Sequence, residues 1–295
     1  GLTIRKMFYT KNQLQSLRKI TVWSKGFFVA LLILFTACSK SKNKRPVIIT
    51  PKVEVQECKE GTQLIFEEGF ESGELNLKVS GDRSNPPEVI QSETARRGNY
   101  VMKSQLSSET AEPYRTEITL NKSGLLFEPQ KEYWVGISTK LDEDFNLSHS
   151  LNDQGMIFQW HYHKGSQGVP DAQPLVGRYR DGKVYIQCEL LDDYLASTPA
   201  NFGEWVDWVI HVKFDNKEGV FEVWWNGNKV VDWTGDNHQE ERANGSTYMK
   251  FGLYSSQYRE TNMGPLPKGQ SRTVYHDEVR IAGKEGCYEL VAPKH

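Results

Sequence analysis

A short stretch of the chain places two phenols and an amine on one face of a predicted strand. In residues 248–254 (YMKFGLY) alternate side chains point in opposite directions, so Tyr248, Lys250 and Tyr254 share one face, while the apolar residues between them face a core. Gly252 leaves a gap in the polar row, and a glycine inside a strand often marks the close approach of a ligand or of another backbone. The stretch predicts a groove in which Tyr254 transfers protons; the alternative is an ordinary solvated sheet face.

Two other predicted strands carry pairs of polar residues on one face. Arg115 and Glu117 lie two residues apart within 114–120, and Gln159 and His161 have the same spacing. Each pair alone fits a solvated ion pair or an exposed histidine, and exposed ion pairs contribute little to stability. The combination of a guanidinium, an amide, an imidazole, an ammonium and a phenol on three strands favours acid–base chemistry on an anionic substrate.

These residue types match the requirements for breaking a uronic-acid polymer by β-elimination. Arg115 and Gln159 can bind the sugar carboxylate and polarise it, which makes the neighbouring C5 proton acidic. His161 is a candidate base because its unperturbed pKa lies near neutrality. Tyr254 can protonate the leaving oxygen on C4, and in a syn elimination it could act as the base as well. Lys250 would lower the pKa of this phenol through its positive charge.

The elements that must position these residues are strands and turns almost throughout. Asp181-Gly182 and Asn226-Gly227 are strong signals for type I′ hairpin turns, and no stretch has sustained helical periodicity. The sequence therefore predicts an all-β fold, a β-sandwich or barrel built from many short strands. The predicted strands are 64–66, 98–106, 114–120, 133–141, 156–163, a hairpin over 178–190, 205–214, 220–225, 229–233, 248–254 and 272–281. Three long loops (146–155, 164–175 and 258–270) are candidate clamps over a polymer.

The overall composition limits the classes of partner. The chain has 295 residues, of which 38% are hydrophobic and 25% charged, with a net charge of −2. This balance gives no indication of a nucleic-acid partner, so an anionic substrate requires a local cluster of Arg and Lys. Aromatic residues make up 12% of the chain, which suits a sandwich core or a surface that stacks on sugars.

The N-terminal part has the pattern of a targeting segment. A basic lead precedes an apolar run over 27–35, which is too short to span a bilayer as a helix of a folded protein. The run ends in Thr-Ala before Cys38, and a small residue before cysteine at this point resembles the lipidation site of bacterial lipoproteins. We expect a signal segment over 1–38, lipid on Cys38, a tether over 39–60 and one domain over 61–295. The expected location is the outer membrane, on the periplasmic or the cell-surface side, with the lipid as the membrane contact.

Three further cysteines remain in the exported part. Cys58 and Cys287 lie near the two ends of the predicted domain, and sandwich folds often bring their ends together. We predict a disulfide between them, since an exported protein meets oxidising conditions. Cys188 alternates with apolar residues, so we predict a buried thiol rather than a nucleophile.

The three polar strands resemble the signature strands of jelly-roll polysaccharide lyases. Residues 115–117 (RTE), 159–161 (QWH) and 248–257 (YMKFGLYSSQ) are similar to the three motifs of alginate lyases, although two residues instead of one separate Tyr254 from Gln257. The wider chain is similar to the glucuronan-lyase and heparin-lyase-I type. The stretches that carry this likeness are 69–73 (GFESG), 133–136 (YWVG), 205–235 and 272–281 (RTVYHDEVRI).

The resemblance implies a concanavalin-like jelly-roll sandwich with a substrate groove, acting as a monomer on an anionic polysaccharide. It needs no cofactor for the chemistry, but a structural calcium ion is typical, with Glu68 and Asp277 as candidate ligands. The implied catalytic residues are Arg115, Gln159, His161, Lys250 and Tyr254. The candidate substrate-binding residues are Glu117, Tyr248, Trp160, Arg178 and Arg180.

Two other functional classes remain open at this point. A glycoside hydrolase on the same fold would use two carboxylates that flank the bond. The usual Glu-x-Asp-x-x-Glu strand is absent, and Glu189 and Asp192 in 189–193 (ELLDD) would not share one face. A non-catalytic carbohydrate-binding module would have the same fold without an acid or a base.

Overall fold

The computed structural model describes residues 57–81, 85–110, 112–147, 154–163, 173–191, 193–242 and 244–294. All described residues belong to one compact unit. The predicted signal segment, Cys38 and most of the tether lie outside the described residues, as do most of the loops at 146–155 and 164–175. In the part of the chain that the structure describes, no helix is long and apolar enough to cross a membrane.

Two antiparallel sheets form the described unit, which confirms the predicted all-β jelly-roll sandwich. The strands are β1 (Phe66–Glu68), β2 (Glu88–Gln91), β3 (Tyr100–Ser107), β4 (Arg115–Thr119), β5 (Glu132–Leu141), β6 (Gln154–Tyr162), β7 (Val176–Arg180), β8 (Lys183–Cys188), β9 (Asp193–Pro199), β10 (Trp205–Lys213), β11 (Gly219–Trp225), β12 (Asn228–Gly235), β13 (Thr247–Tyr254) and β14 (Ser271–Ala282). Helical structure is limited to α1 (Tyr288–Val291) and to 3₁₀ turns at Leu120–Ser123, Glu143–Leu147, Glu189–Leu191, Glu240–Arg242 and Ser256–Tyr258.

The strand order places the polar strands side by side. The eight-stranded sheet has the order β12-β11-β10-β5-β14-β3-β2, with β1 also paired to β14. The six-stranded sheet has the order β4-β13-β6-β7-β8-β9. The strands that carry Arg115, Tyr254 and His161 are therefore adjacent, although they are far apart in the sequence.

The core lies between the two sheets and follows the alternation predicted for β13. Met249, Phe251 and Leu253 are buried in it, together with Phe158 and Trp208 from the facing surfaces. Burial of each large apolar side chain contributes about 1.5–3 kcal/mol, so the inward face of β13 fixes the direction of its outward face.

The turns at Asp181-Gly182 and Asn226-Gly227 are the predicted type I′ turns. All four residues have positive φ, at 48° and 78° in the first turn and 45° and 78° in the second. Strands β2 and β9 were not predicted. Both are edge strands: β2 has four residues, and β9 ends in a polar, proline-bearing sequence, so neither has a clear alternating pattern.

A disulfide joins Cys58 to Cys287, with the Cα atoms 5.1 Å apart and a sequence separation of 229. Such a link stabilises a protein by about 2–5 kcal/mol, mainly by restricting the unfolded chain. Cys188 is buried, and burial raises the pKa of its thiol to about 11. It is therefore protonated at neutral pH, and a protonated buried thiol is a poor nucleophile.

Candidate active site

The register of β4, β13 and β6 brings the predicted polar residues onto one face. Residues directly opposite each other on antiparallel strands point to the same side of a sheet. The opposite pairs are Arg115–Tyr254, Glu117–Gly252, Gln159–Lys250 and His161–Tyr248. We call this side of the six-stranded sheet the polar face. Arg115, His161 and Tyr254 are each partly exposed on it.

A chain of hydrogen bonds runs across the polar face from Glu117 to His161. Gln159 Nε2 donates to Glu117 Oε1 at 2.5 Å, and His161 Nε2 lies 2.9 Å from Gln159 Oε1. Because a carbonyl oxygen can only accept, the neutral imidazole carries its proton on Nε2 and presents Nδ1 as its basic nitrogen. The chain therefore fixes both the tautomer and the orientation of the candidate base.

Glu117 and Gln159 support the site from below its surface. Each is only 1% exposed, and the second carboxylate oxygen of Glu117 lies 3.5 Å from Arg115 Nε. The prediction that Glu117 contacts substrate is therefore wrong, because a buried carboxylate between two neighbours has no surface for a sugar. Gln159 likewise uses both ends of its amide within the protein, so it positions His161 rather than lying open to a carboxylate.

Tyr254 stands between two arginines. The guanidinium carbon of Arg115 lies 4.9 Å from the centre of the Tyr254 ring, and that of Arg259 lies 5.7 Å from it. Arg259 also lies 4.8 Å from the ring of Tyr114, which meets Tyr254 edge to face at 6.4 Å. Two cations thus flank the phenol that was predicted to transfer protons.

Sequence analysis missed Arg259. It follows the 3₁₀ turn Ser256–Tyr258, which returns the chain toward the end of β13, so its spacing from Tyr254 has no strand periodicity. Its Nε atom is buried and has no hydrogen-bond partner among the described residues, and the same is true of Arg115 Nε. A donor left unpaired in this way is expensive unless a ligand satisfies it. The only sequence signal was its place in a long polar loop predicted to clamp a polymer.

The family of the chain follows from comparison with known proteins. Residues 70–280 match the family model described as polysaccharide lyase. The chain belongs to the polysaccharide lyase family. The lyase is similar in fold to the endo-β-1,4-glucuronan lyase from the fungus Trichoderma reesei, with a TM-score of 0.58 and 17% identity over 79% of this chain and 100% of that one.

The lyase is also similar to an alginate lyase from Zobellia galactanivorans, with a lower TM-score of 0.47 and 12% identity over 75% of this chain and 93% of that one. No curated protein sequence matches the lyase. The predicted class, a polysaccharide lyase of the jelly-roll type, is confirmed by the family match and by the fold. Among the alternatives, this family membership favours an enzyme over a non-catalytic module, and a lyase over a glycoside hydrolase.

Gly252 is required for the close approach of β4 and β13. Its φ is +135°, and a Cβ atom built there would lie 2.3 Å from the carbonyl oxygen of Thr116. The gap that Gly252 leaves in the polar row is therefore filled by the backbone of β4. A strand glycine marks the close approach of either a ligand or another backbone, and here it is the backbone. The pairing of β13 with β6 has an irregularity between Phe251 and Tyr254, which brings Tyr254 opposite Met156.

Lys250 and Tyr248 lie on the same face as the candidate base. Lys250 is only 7% exposed, and its Nζ lies 5.8 Å from the centre of the Tyr248 ring. The Tyr248 ring stacks with the His161 imidazole at 6.0 Å. The predicted effect of Lys250 on the Tyr254 phenol stays a prediction, while Tyr248 forms a partly exposed wall beside His161.

The polar face continues into β7 and β8. Arg178 lies opposite Met156 on one side and Tyr185 on the other, so it shares the face with Tyr254. Its Nη2 pairs with Glu189 at 2.9 Å, while its Nε is buried with no hydrogen-bond partner among the described residues. Its predicted place beside the substrate stays a prediction.

Arg180 lies farther along the same strand as Arg178. Its Nη1 donates to the Tyr194 hydroxyl at 3.1 Å, and its Nε lies 3.4 Å from Asp181. Its side chain is partly exposed at the hairpin, so it belongs to the rim of the polar face.

Trp160 does not contact substrate, which corrects the prediction. It is 0% exposed and lies opposite Met249, on the core side of β6. Its ring packs edge to face on Phe127 at 5.6 Å. The strand alternation places it on the side opposite to Gln159 and His161, so its position within the motif was misleading.

Glu68 and Asp277, the predicted calcium ligands, both accept backbone N–H groups, and their binding of calcium stays a prediction. Asp277 Oδ2 accepts the backbone N–H groups of Arg96 and Arg97 at 3.0 and 3.1 Å, and Oδ1 accepts that of Glu278 at 2.7 Å. Glu68 Oε1 accepts a backbone N–H at 2.6 Å. Calcium needs six to eight oxygen ligands, and among the described residues no group of three or more metal-binding side chains occurs. These carboxylates therefore cap backbone amides in the lyase.

Proposed function

We propose that the lyase cleaves a polysaccharide containing uronic acid by β-elimination and leaves a 4,5-unsaturated uronate at the new end. The observation that carries the proposal is the position of Tyr254 between Arg115 and Arg259, beside the hydrogen-bonded chain that ends at His161. This arrangement supplies cations for a carboxylate and two groups that can move protons, within one face.

The two arginines are the groups best suited to hold the sugar carboxylate. Guanidinium groups bind carboxylates through two parallel hydrogen bonds, and the side chains of Arg115 and Arg259 are both partly exposed beside Tyr254. Neutralising the carboxylate stabilises the negative charge that develops when the C5 proton leaves. Because the net charge of the whole chain is −2, this local pair of cations is what attracts an anionic polymer.

The reaction moves one proton away from the sugar and one proton onto the leaving group. A base removes the C5 proton, and the electrons of the C5–H bond form the C4–C5 double bond while the C4–O bond breaks. Tyr254 donates its phenolic proton to the departing oxygen. His161 acts as the base through Nδ1 if removal and departure occur on opposite faces of the ring, whereas ionised Tyr254 performs both steps if they occur on one face.

The test of the proposal is the appearance of the conjugated double bond. We expect ultraviolet absorbance to rise when the purified lyase is incubated with glucuronan, which is named in the description of the Trichoderma reesei enzyme, or with alginate, heparin or an ulvan-type polymer. Release of reducing ends without this absorbance would indicate hydrolysis and overturn the proposal. A polymer without uronic acid is the negative control.

Substitution of His161 decides which group is the base. His161→Ala is expected to lower kcat by about 10²–10⁴-fold if the imidazole removes the C5 proton. A decrease below about tenfold would assign both proton transfers to Tyr254. Glu117→Gln is the matched control for the positioning of His161. The new amide oxygen still accepts a hydrogen bond from Gln159, but the contact with Arg115 is weaker because the negative charge is lost.

We also propose that the lyase is an exported lipoprotein anchored through Cys38, on the basis of the basic lead, the apolar run and the small residue before the cysteine. Expression of the full chain in a Gram-negative host, with labelling by a fatty acid, tests this. Cys38→Ser is expected to remove the label and to release the protein from the membrane fraction. A labelled Cys38→Ser variant would contradict the proposal.

A further inference from the structure

A cavity of about 520 Å³ opens on the outer side of the eight-stranded sheet, on a different sheet from the proposed active site. We call this side, which carries Trp205, Asp207 and His211, the outer face, because the intervening residues of β10 point into the main core. The cavity lies within the usual size range of small-ligand sites, about 300–1,000 Å³. The lining residues that matter here are Arg96, Trp205, Asp207, Asn226 and Tyr288.

The charged groups of the cavity form a rigid pair. Arg96 Nε and Nη2 donate to the two carboxylate oxygens of Asp207 at 2.9 and 2.6 Å, and Ser138 Oγ donates to the same carboxylate at 2.7 Å. Both charged side chains are mostly buried. A bidentate pair of this kind is planar, fixed in direction and neutral overall.

Asn226 adds an oriented amide. It occupies the first position of the type I′ turn, and its Oδ1 accepts the backbone N–H of Asp207 at 2.8 Å. This bond fixes the side chain and leaves the N–H groups of Nδ2 as donors to a ligand.

Two aromatic rings complete the wall, and both are held in place. Trp205 Nε1 donates to the carbonyl oxygen of Thr94 at 2.7 Å, and Lys140 Nζ lies 5.0 Å from the indole ring. Tyr288 meets Trp224 edge to face at 5.5 Å. The cavity thus combines immobilised aromatic surface with planar hydrogen-bonding groups.

We propose that this cavity is a second carbohydrate-binding site, which takes an uncharged pyranose unit. Sugar rings present an apolar face of C–H groups and a rim of hydroxyls, and an indole beside an Asp–Arg–Asn set matches both. The charges of Arg96 and Asp207 already cancel each other, and no other described residue that lines the cavity carries a positive charge. The ligand class therefore differs from the uronate proposed for the polar face, and the site does not depend on that proposal.

The test measures binding of neutral oligosaccharides to the folded chain. Isothermal titration of the Tyr254→Phe lyase with the tetrasaccharides of β-1,4-glucan, β-1,4-xylan, β-1,4-mannan and β-1,4-galactan is expected to show binding of at least one. Trp205→Ala in the same background is expected to weaken that binding by about tenfold or more, since anchored aromatic residues dominate such sites. Trp205→Phe is expected to restore part of it.

Asn226→Asp is the second variant, because aspartate tolerates the same turn conformation but lacks the N–H donors. It is expected to weaken binding even if Trp205→Ala fails to fold. Trp205→Ala in the otherwise unaltered lyase should leave formation of the ultraviolet-absorbing product from short uronate oligomers unchanged. The inference is overturned if none of the four tetrasaccharides binds, or if Asn226→Asp and Trp205→Phe bind them as the parent does.

Discussion

The polar face and the outer face both carry many charges, but they pair them differently. On the polar face, Arg115, Arg178 and Arg259 each have a buried Nε without a hydrogen-bond partner among the described residues. On the outer face, Arg96 is bidentate to Asp207. Unpaired buried donors cost about 1–3 kcal/mol each. The contrast concerns the arginines, because His211 Nε2 and Trp224 Nε1 on the outer face also lack a hydrogen-bond partner among the described residues.

The outer face also contains a closed network of charged groups around Glu222. Its two carboxylate oxygens meet His211 Nδ1 at 2.6 Å and Lys229 Nζ at 2.5 Å. The hydrogen bond from His211 and the neighbouring Lys229 lower the pKa of Glu222 to about 2. Trp134 stacks on His211 at 4.3 Å. These charged groups therefore stabilise the fold, whereas we expect the charged groups of the polar face to bind substrate.

The largest expected effect comes from Tyr254→Phe. Loss of the phenolic proton should lower kcat by about 10³-fold or more, because a positioned acid or base contributes up to about 10⁴-fold. Titration calorimetry should give nearly unchanged polymer binding, since the ring and its contacts with the arginines remain. A variant that retains activity would remove Tyr254 from the mechanism.

Arg259→Ala is expected to have the next largest effect, a decrease in kcat/KM of about 10–100-fold from loss of one charged hydrogen-bonding partner of the carboxylate. Arg259→Lys should recover part of the loss by keeping the charge. Unfolding by urea should give an unchanged or higher stability, because the removed donor is unsatisfied in the free protein. If the Arg259→Ala variant is less stable to urea and has a normal kcat/KM, the contrast between the two faces is wrong.

Glu222→Gln tests the opposite face. A depressed pKa stabilises the fold above the pKa of the unfolded chain, and the stabilisation disappears as the pH falls through the folded value of about 2. We expect the variant to lose about 1–2 kcal/mol of unfolding free energy at neutral pH, less than the full shift implies because the pair is partly exposed. The difference from the parent should shrink as the pH falls from 5 toward 2, with urea unfolding as the measurement. Lyase activity per folded molecule should not change.

Arg180→Ala should have the smallest effect. Its side chain is partly exposed, and its partners Tyr194 and Asp181 are local. We expect a change in kcat/KM below about threefold, as for most exposed contacts. A loss comparable to that of Arg259→Ala would extend the substrate contacts to the rim at β7 and β8.

Much of the polar face could be predicted because strand alternation is local. The period of two assigns Tyr248, Lys250 and Tyr254 to one side of β13 without any knowledge of its neighbours. The same rule assigns Trp160 to the core, and the error arose from giving its place in a motif more weight than its direction. The order of the strands was not predicted, since the register of distant strands is not encoded locally.

Other features depend on tertiary contacts and could not be found in the sequence. Arg259 reaches Tyr254 because a 3₁₀ turn folds the chain back, and turns of this kind have no strand period. The burial of Glu117 depends on its contacts with Arg115 and Gln159 from two different strands. The Asp277 carboxylate accepts three backbone amides, which the sequence did not indicate.

The glycine in β13 sets a limit on protein engineering. Since even a methyl group at position 252 would collide with the Thr116 carbonyl oxygen, every substitution there must push β4 aside. Arg115 is part of β4 and would move with it, so such a change would separate the guanidinium from the Tyr254 ring. Attempts to widen substrate acceptance by mutation should therefore leave this residue fixed and vary the loop that carries Arg259.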